Sequence, residues 1–481
     1  MPKIALIEPQ SPNLHIFSKF PSPRLGTVLL GTIMKKRGWD VELFVEDFRA
    51  LDFGVIGSAD IVGISTITST APRAYAIADK VRGLGIPVLF GGPHVTFLSA
   101  EGLEHGDFVL RGEAEETLPV FLDAWRAGAD LSTVPGLSFR RDGEDVHNPK
   151  AAAPRDLDDF PFADFDLLKP DRRWRNKKMV LPVQTSRGCP FDCTFCSVTG
   201  MFGKAYRFRS TEHIIGELRA HKGKNKYLFF YDDNFAAHKP RTRELLEAMI
   251  QEGFKFHWTT QVRADVARDP DLVRLMKKAG CHTVCIGFES VNPKSLQESH
   301  KAQSLAELNQ AVHVFRRNRI HIHGMFVFGF DQDDRETFRE TVNWARKSRL
   351  TSSQFLILTP LPGSAFYNKV TEEERIAFTD WSLYDAHHAV FRPRRLTLAD
   401  LQKAQMTGHK RFYSFKEQIR NLFEGRWVAL AINQYARALN RTWRKKNRTF
   451  LKALELLRPR RGSRVWVDYR QEIRLDDRPS R

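Results

Sequence analysis

The sequence predicts an α/β protein of two successive units, a doubly wound parallel-sheet domain and then a partial (β/α)6 barrel, followed by a mainly helical region. Three observations carry that prediction. Apolar strands alternate with helical stretches from the N-terminus onward. A second alternation begins near residue 179. The first strand of that second series runs straight into three cysteines, in Ser186-Arg187-Gly188-Cys189-Pro190-Phe191-Asp192-Cys193-Thr194-Phe195-Cys196. The boundaries that follow are 1–134 for the first domain, 135–172 for a linker, 173–365 for the barrel and 366–481 for the helical region.

In the first unit, strands are expected over 3–7, 41–45, 61–65, 87–91 and 108–111, with helices over 26–37 and 74–82. Strands spaced in this way by helices form a parallel sheet covered on both faces. Such sheets bind ligands beyond the carboxyl ends of their strands. The loops there are Ser65-Thr66, Gly91-Gly92-Pro93-His94 and Arg111-Gly112-Glu113. Paired glycines let a backbone approach a ligand closely. His94 is expected at the surface of its loop. In the connector, Asp142-Gly143 marks a hairpin turn, and the acidic stretch 156–166, broken by Pro161, is irregular.

The second unit has strands expected over 179–185, 226–231, 256–260, 283–287, 320–328 and 353–359. Helices over 211–220, 241–252, 271–279, 306–317 and 335–347 lie between them. Six βα steps make an open, partial barrel with its functional residues at the carboxyl ends of the strands.

The spacing C-x-x-x-C-x-x-C offers three thiolates on one short loop. Such a set can hold three corners of a 4Fe-4S cluster and leave one iron free. A structural zinc site takes four ligands. A redox pair with a bystander thiol, or a partial zinc knuckle, are the alternative readings of the cysteines alone. The chain has only 5 cysteines, which argues against a disulfide scaffold and for a reducing, cytoplasmic setting. Its N-terminus lacks the shape of a signal peptide, and no apolar run approaches the roughly 20 residues that span a bilayer.

The cysteine run, with Arg-Gly before it and an aromatic before its third cysteine, resembles the signature of the radical S-adenosylmethionine (SAM) superfamily. The resemblance implies a TIM-like barrel with a 4Fe-4S cluster on Cys189, Cys193 and Cys196 and SAM on the open iron. It places Phe195 on the nucleobase. Asp232 and Asp233 become the nearest acceptors for the SAM ammonium, Arg263 a partner for its carboxylate, and Glu289 and Ser290 contacts to ribose or amino group. The first domain resembles the cobalamin-binding domains that precede many such barrels, which implies cobalamin contacts from Ser65, Thr66, Gly91, Gly92, Gly112 and Glu113. The D-x-H-x-x-G motif that supplies a lower-axial histidine is missing, and neither His15 nor His94 has that context. Cobalamin is therefore expected base-off without a histidine ligand. Loss of cobalamin, with the domain kept as a scaffold, is the alternative.

The expected activity is reductive SAM cleavage followed by methyl transfer to an unactivated carbon of a small-molecule or lipid-like substrate. A radical cyclase or rearrangement enzyme is the second reading, and an iron–sulfur electron carrier the third. A reductant such as flavodoxin or ferredoxin is implied. Cys281 and Cys285 are read as small core hydrophobes before a second ligand set. Net charge is +18, and residues 410–481 hold 20 Lys/Arg against 7 Asp/Glu. Val428, Ile432, Tyr435, Leu439 and Trp443 recur as one helical stripe beside arginines. That stripe has two expected uses: peripheral contact with the inner face of the membrane, or docking on the barrel. With no nucleic-acid motif, charge alone argues little for RNA.

Overall fold

The computed structural model describes residues 1–11, 22–172, 179–223, 227–301 and 303–456 of the 481-residue chain. His15, Lys226 at the expected start of a strand, and the end of the basic region after 456 lie outside them. The first sheet has seven strands: β1 (Lys3–Glu8), β2 (Asp40–Val45), β3 (Ile61–Ser65), β4 (Val88–Gly91), β5 (Phe108–Leu110), β6 (Leu137–Arg141) and β7 (Glu144–His147), in the order β2-β1-β3-β4-β5-β6-β7. β1 to β5 are parallel. Alternation along β1 shows why both faces are covered. Ile4 and Leu6 pack with Val28, Leu29 and Phe121; Ala5 and Ile7 pack with Ala74, Ile77 and Ala78.

The connector is less of a linker than its composition suggests. Its hairpin pairs antiparallel onto β5 and completes the first sheet. Leu167 and Leu168 then join the core beneath the Leu25–Lys36 helix.

The second sheet is parallel throughout. β8 (Leu181–Val183), β11 (Tyr227–Phe230), β12 (His257–Val262), β13 (Cys281–Glu289), β14 (His321–Phe328) and β15 (Ser352–Ile357) follow each other in chain order, so the barrel stays open between β8 and β15. A small ribbon of β9 (Ser186–Arg187) and β10 (Arg207–Phe208) flanks the cysteine loop. The barrel helices start from side-chain caps at Ser210, Asp269, Ser304 and Asp334, each accepting from a first-turn N–H.

The C-terminal helices Leu398–Phe412 and Trp427–Lys446 pack on this barrel. Ile432, Tyr435 and Leu439 join its core, and Ala436 and Trp443 are buried. Of the two uses expected for the apolar stripe, docking on the protein is the observed one; only Val428 at its start stays exposed. No helix among the described residues is long and apolar enough to cross a membrane.

One side chain joins the two units closely. The ring of Phe97, from the first domain, lies against Gly363, where a Cβ would stand 2.3 Å from it, and against Gly200, where a Cβ would stand 3.2 Å away.

Candidate active site between the two sheets

The cysteine loop leaves β9 through Gly188, whose φ of +83° and whose approach to the Ala205 carbonyl, 2.5 Å from a built Cβ, exclude any side chain. This is the physical reason for the glycine before the first cysteine. Cys189, Cys193 and Cys196 are half-buried. Burial pushes all three thiols up, Cys196 to about 12. Cys189 senses the charge of Cys193, and Cys196 that of both others, so the three share one neighbourhood. They do not stand at ligand spacing among the described residues; the fit to a cluster rests on donor type and common loop. A cationic metal is what turns such thiols into thiolates. The loop is pinned by the Thr194 N–H on the Ser299 carbonyl and by the Phe366 N–H on the Thr194 carbonyl.

Around this loop the expected SAM residues separate into two groups. Asp233 lines the cavity between the sheets, and burial together with the neighbouring Asp232 charge raises its carboxyl to about 7. Arg263 lies under the loop with its guanidinium 3.7 Å from the Phe191 ring centroid. Its Nη2 donates to the Lys301 carbonyl, while its buried Nε lacks a hydrogen-bond partner, with Asp265 at 3.7 Å and the Cys193 thiol beside the guanidinium. An orphaned guanidinium N–H beside Cys193 suits a carboxylate ligand. The Phe195 ring faces Phe330, beyond β14, edge-on at 6.1 Å.

The other group is engaged within the protein. Asp232 is fully buried and accepts from the Thr185 and Ser186 N–H groups at 2.9 and 2.5 Å and from both hydroxyls at 3.0 and 2.8 Å. Its carboxylate is spent on the strand exit that leads to the cysteines, which corrects its expected role toward the SAM ammonium. Glu289 pairs with Lys301 at 2.9 Å, in a bulge where its own φ is +58°. Gly287 makes room for that pair, since a Cβ there would stand 2.3 Å from Oε1. A buried lysine thus already occupies the carboxylate read as a ribose or amino contact. Ser290 accepts from the Asn292 N–H at 3.1 Å and shapes the next turn. Cys281 and Cys285 are buried in β13.

On the first domain Ser65, Gly91, Gly92, Gly112 and Glu113 line the same cavity, of about 400 Å³. Gly92 has φ +98°, and a Cβ would stand 2.4 Å from the Thr66 carbonyl oxygen. Thr66 itself is fully buried and ties its loop to Gly91 through Oγ1, at 2.9 Å, so it holds the cradle and does not line it. Glu113 is likewise engaged, pairing with Arg187 at 2.7 Å and Arg207 at 2.5 Å. His94 is fully buried, against Trp381 and near Glu101, which corrects its expected surface position. The sequence reading missed Arg24, Gln184, Met201, Tyr231 and Gln261, all of which line the cavity. Tyr231 and Gln184 directly follow strands and Gln261 lies near the end of one, so the strand-end rule had the means to find them. No histidine lines the cavity among the described residues.

The geometry is matched by similarity. Residues 183–345 match the radical SAM superfamily and residues 18–122 the B12 binding domain. An uncharacterized methyltransferase of Pyrococcus horikoshii is 31% identical over 84% of this chain and 90% of its own. The bacteriochlorophyllide d C-12(1)-methyltransferase of Chlorobaculum tepidum is 29% identical over 92% and 91%. The anaerobic magnesium-protoporphyrin IX monomethyl ester cyclase of Cereibacter sphaeroides is 29% identical over 74% and 60%. Among solved structures, the cobalamin-dependent radical enzyme OxsB, with aqua-cobalamin and SAM bound, superposes with a TM-score of 0.71 at 18% identity, over 92% of this chain and 72% of that one. It shares the fold of both units.

Proposed function

Since the chain belongs to the radical SAM superfamily, in its cobalamin-binding branch, we propose that it methylates an unactivated carbon of an apolar small molecule. One observation carries the proposal: the carboxyl-end loops of both sheets line a single cavity, with Arg187 and Ser197, which flank the cysteine loop, at its barrel side. When bound, the cluster and SAM supply a hydrogen-abstracting carbon radical, and cobalamin supplies a methyl carrier.

The protein's part is holding and excluding. Cys189, Cys193 and Cys196 would hold the cluster. Arg263 would take the SAM carboxylate through its free Nε, and Asp233, from the other side, the ammonium. Ser65, Gly91, Gly92 and Gly112 would bring backbone against the corrin without a protein histidine. Met201, Phe202 and Val198, from the helix behind the cysteines, give the cavity an apolar wall that keeps water from the reacting carbon. A low-potential electron donor of the flavodoxin or ferredoxin kind would supply the electron. A lipid-linked substrate suits the basic C-terminal region, and cytoplasmic residence suits the thiols.

The test is anaerobic reconstitution with iron, sulfide and cobalamin, then dithionite and SAM. Deoxyadenosine should form, and the cobalamin spectrum should be base-off. If the fully clustered protein makes no deoxyadenosine, the enzyme reading falls and an electron carrier stands. The cyclase among the relatives supports a second reading, cyclisation in the same cavity. Product mass separates the two: methyl transfer adds one methylene unit, and oxidative ring closure removes hydrogens.

A further inference from the structure

The Phe415–Phe423 helix is mounted with its apolar face outward. Against the protein it buries Glu417 and Asn421. Glu417 accepts from Arg346 at 2.9 Å and from Arg349 at 3.2 Å, and Glu424, after the helix, pairs with Arg349 and Arg420. Toward solvent stand Phe415, Ile419, Leu422 and Phe423, exposed by 60%, 40%, 48% and 85%, with Trp427 just beyond at 65%. At about 100° per residue the four helix positions span roughly a quarter to a third of the circumference, opposite Glu417 and Asn421. A surface helix ordinarily does the reverse, turning its apolar stripe to the core.

Charge says what covers this face. Lys416 and Arg420 border it on the helix itself, and Lys410 and Arg411 are exposed just before it. Residues 410–456 hold 12 Lys/Arg against 3 Asp/Glu, and two of those three acids are the paired Glu417 and Glu424. The patch is therefore apolar at its centre, cationic at its rim and free of unpaired carboxylate among the described residues. Phe415 also edges a cavity beside Arg437, whose guanidinium lies 5.3 Å from its ring, while Ile419, Leu422, Phe423 and Trp427 project. A protein partner must offer a pocket for each projecting ring, whereas acyl chains and headgroups accommodate them in any register. We propose that this corner, residues 415–428, seats the protein on an anionic bilayer, with Phe423 and Trp427 at the headgroup boundary. This is a different face from the Ile432–Leu439 stripe, and it holds whichever reaction the cavity performs.

The experiment is flotation of the full-length reconstituted protein with vesicles of phosphatidylcholine, with and without phosphatidylglycerol. Binding should require phosphatidylglycerol and weaken with salt. The double variant Phe423→Glu/Trp427→Glu should bind about tenfold less, and Phe423→Leu/Trp427→Leu should largely keep binding. Unchanged cluster absorbance in both variants shows that they fold. The proposal is overturned if the wild type ignores anionic vesicles or if the glutamate variant floats equally well. It is also overturned if the wild type sediments as a dimer that the glutamate variant breaks, since the face would then join two copies.

Discussion

Asp232 and Asp233 are neighbours with opposite duties. The first closes four hydrogen bonds on Thr185 and Ser186; the second meets the cavity. Removing a buried acceptor strands its donors and costs more than the bond itself returned. Asp232→Ala should therefore lower unfolding free energy by about 3 kcal/mol, read by denaturant titration of the apoprotein, and should lower cluster content with it. Asp233→Asn should leave stability nearly unchanged and weaken SAM instead. The three cysteines were legible because their spacing is local. The division between the aspartates was not, because it depends on how the chain after β8 returns beside β11, 47 residues away. The Lys301 partner of Glu289 was hidden for the same reason: it comes back from beyond a further short helix.

At the scale of elements, the strands of both sheets and the barrel helices were legible from periodicity, the Thr117–Arg126 helix of the first domain was not, and the apolar stripe of the last long helix was. Its destination was not, since a stripe states what it buries and leaves the partner open. The outward face of the Phe415–Phe423 helix had a comparable stripe, yet polar pairing through Glu417 decided its orientation. The C-terminal helices are further fixed by His388, which bonds Asp385 and Asn447, both at 2.9 Å, and packs on Trp443 and Phe450. Burial works against the His388 charge, but the Asp385 hydrogen bond and charge outweigh it, so its pKa lies above the usual 6.5. A raised histidine stabilises the fold fully below pH 6.5, and that contribution fades as pH climbs through the raised value. The melting temperature should thus fall on going from mildly acidic to alkaline buffer. His388→Gln should start lower and lack that part of the slope.

Across the whole molecule, the joint between the two sheets is electrostatic as well as steric. Arg187, from the strand entering the cysteine loop, pairs with Glu113 at 2.7 Å and Glu115 at 2.5 Å, and Arg207 adds a second hold on Glu113. The Arg187, Glu113 and Glu115 side chains are buried, and that of Arg207 nearly so. Breaking such a set by removing one partner leaves uncompensated charge in the interior. Arg187→Met should cost about 3–5 kcal/mol and split a single calorimetric transition into two, with the first domain melting apart from the barrel. Two domains were foreseen; that the arginine of the cysteine motif fastens one to the other was not, because Glu113 had been assigned to a ligand.

The Phe97 ring belongs to the short helix that begins just after Gly92, so the piece that wedges the barrel also carries the loop proposed to meet the corrin. Neither glycine it rests on leaves slack. The spacing between the Gly92 loop and the helix behind the cysteines is then a built dimension of the chain, held by one phenyl ring. On the function proposed above, a substrate must bring its target carbon into a gap that it cannot adjust.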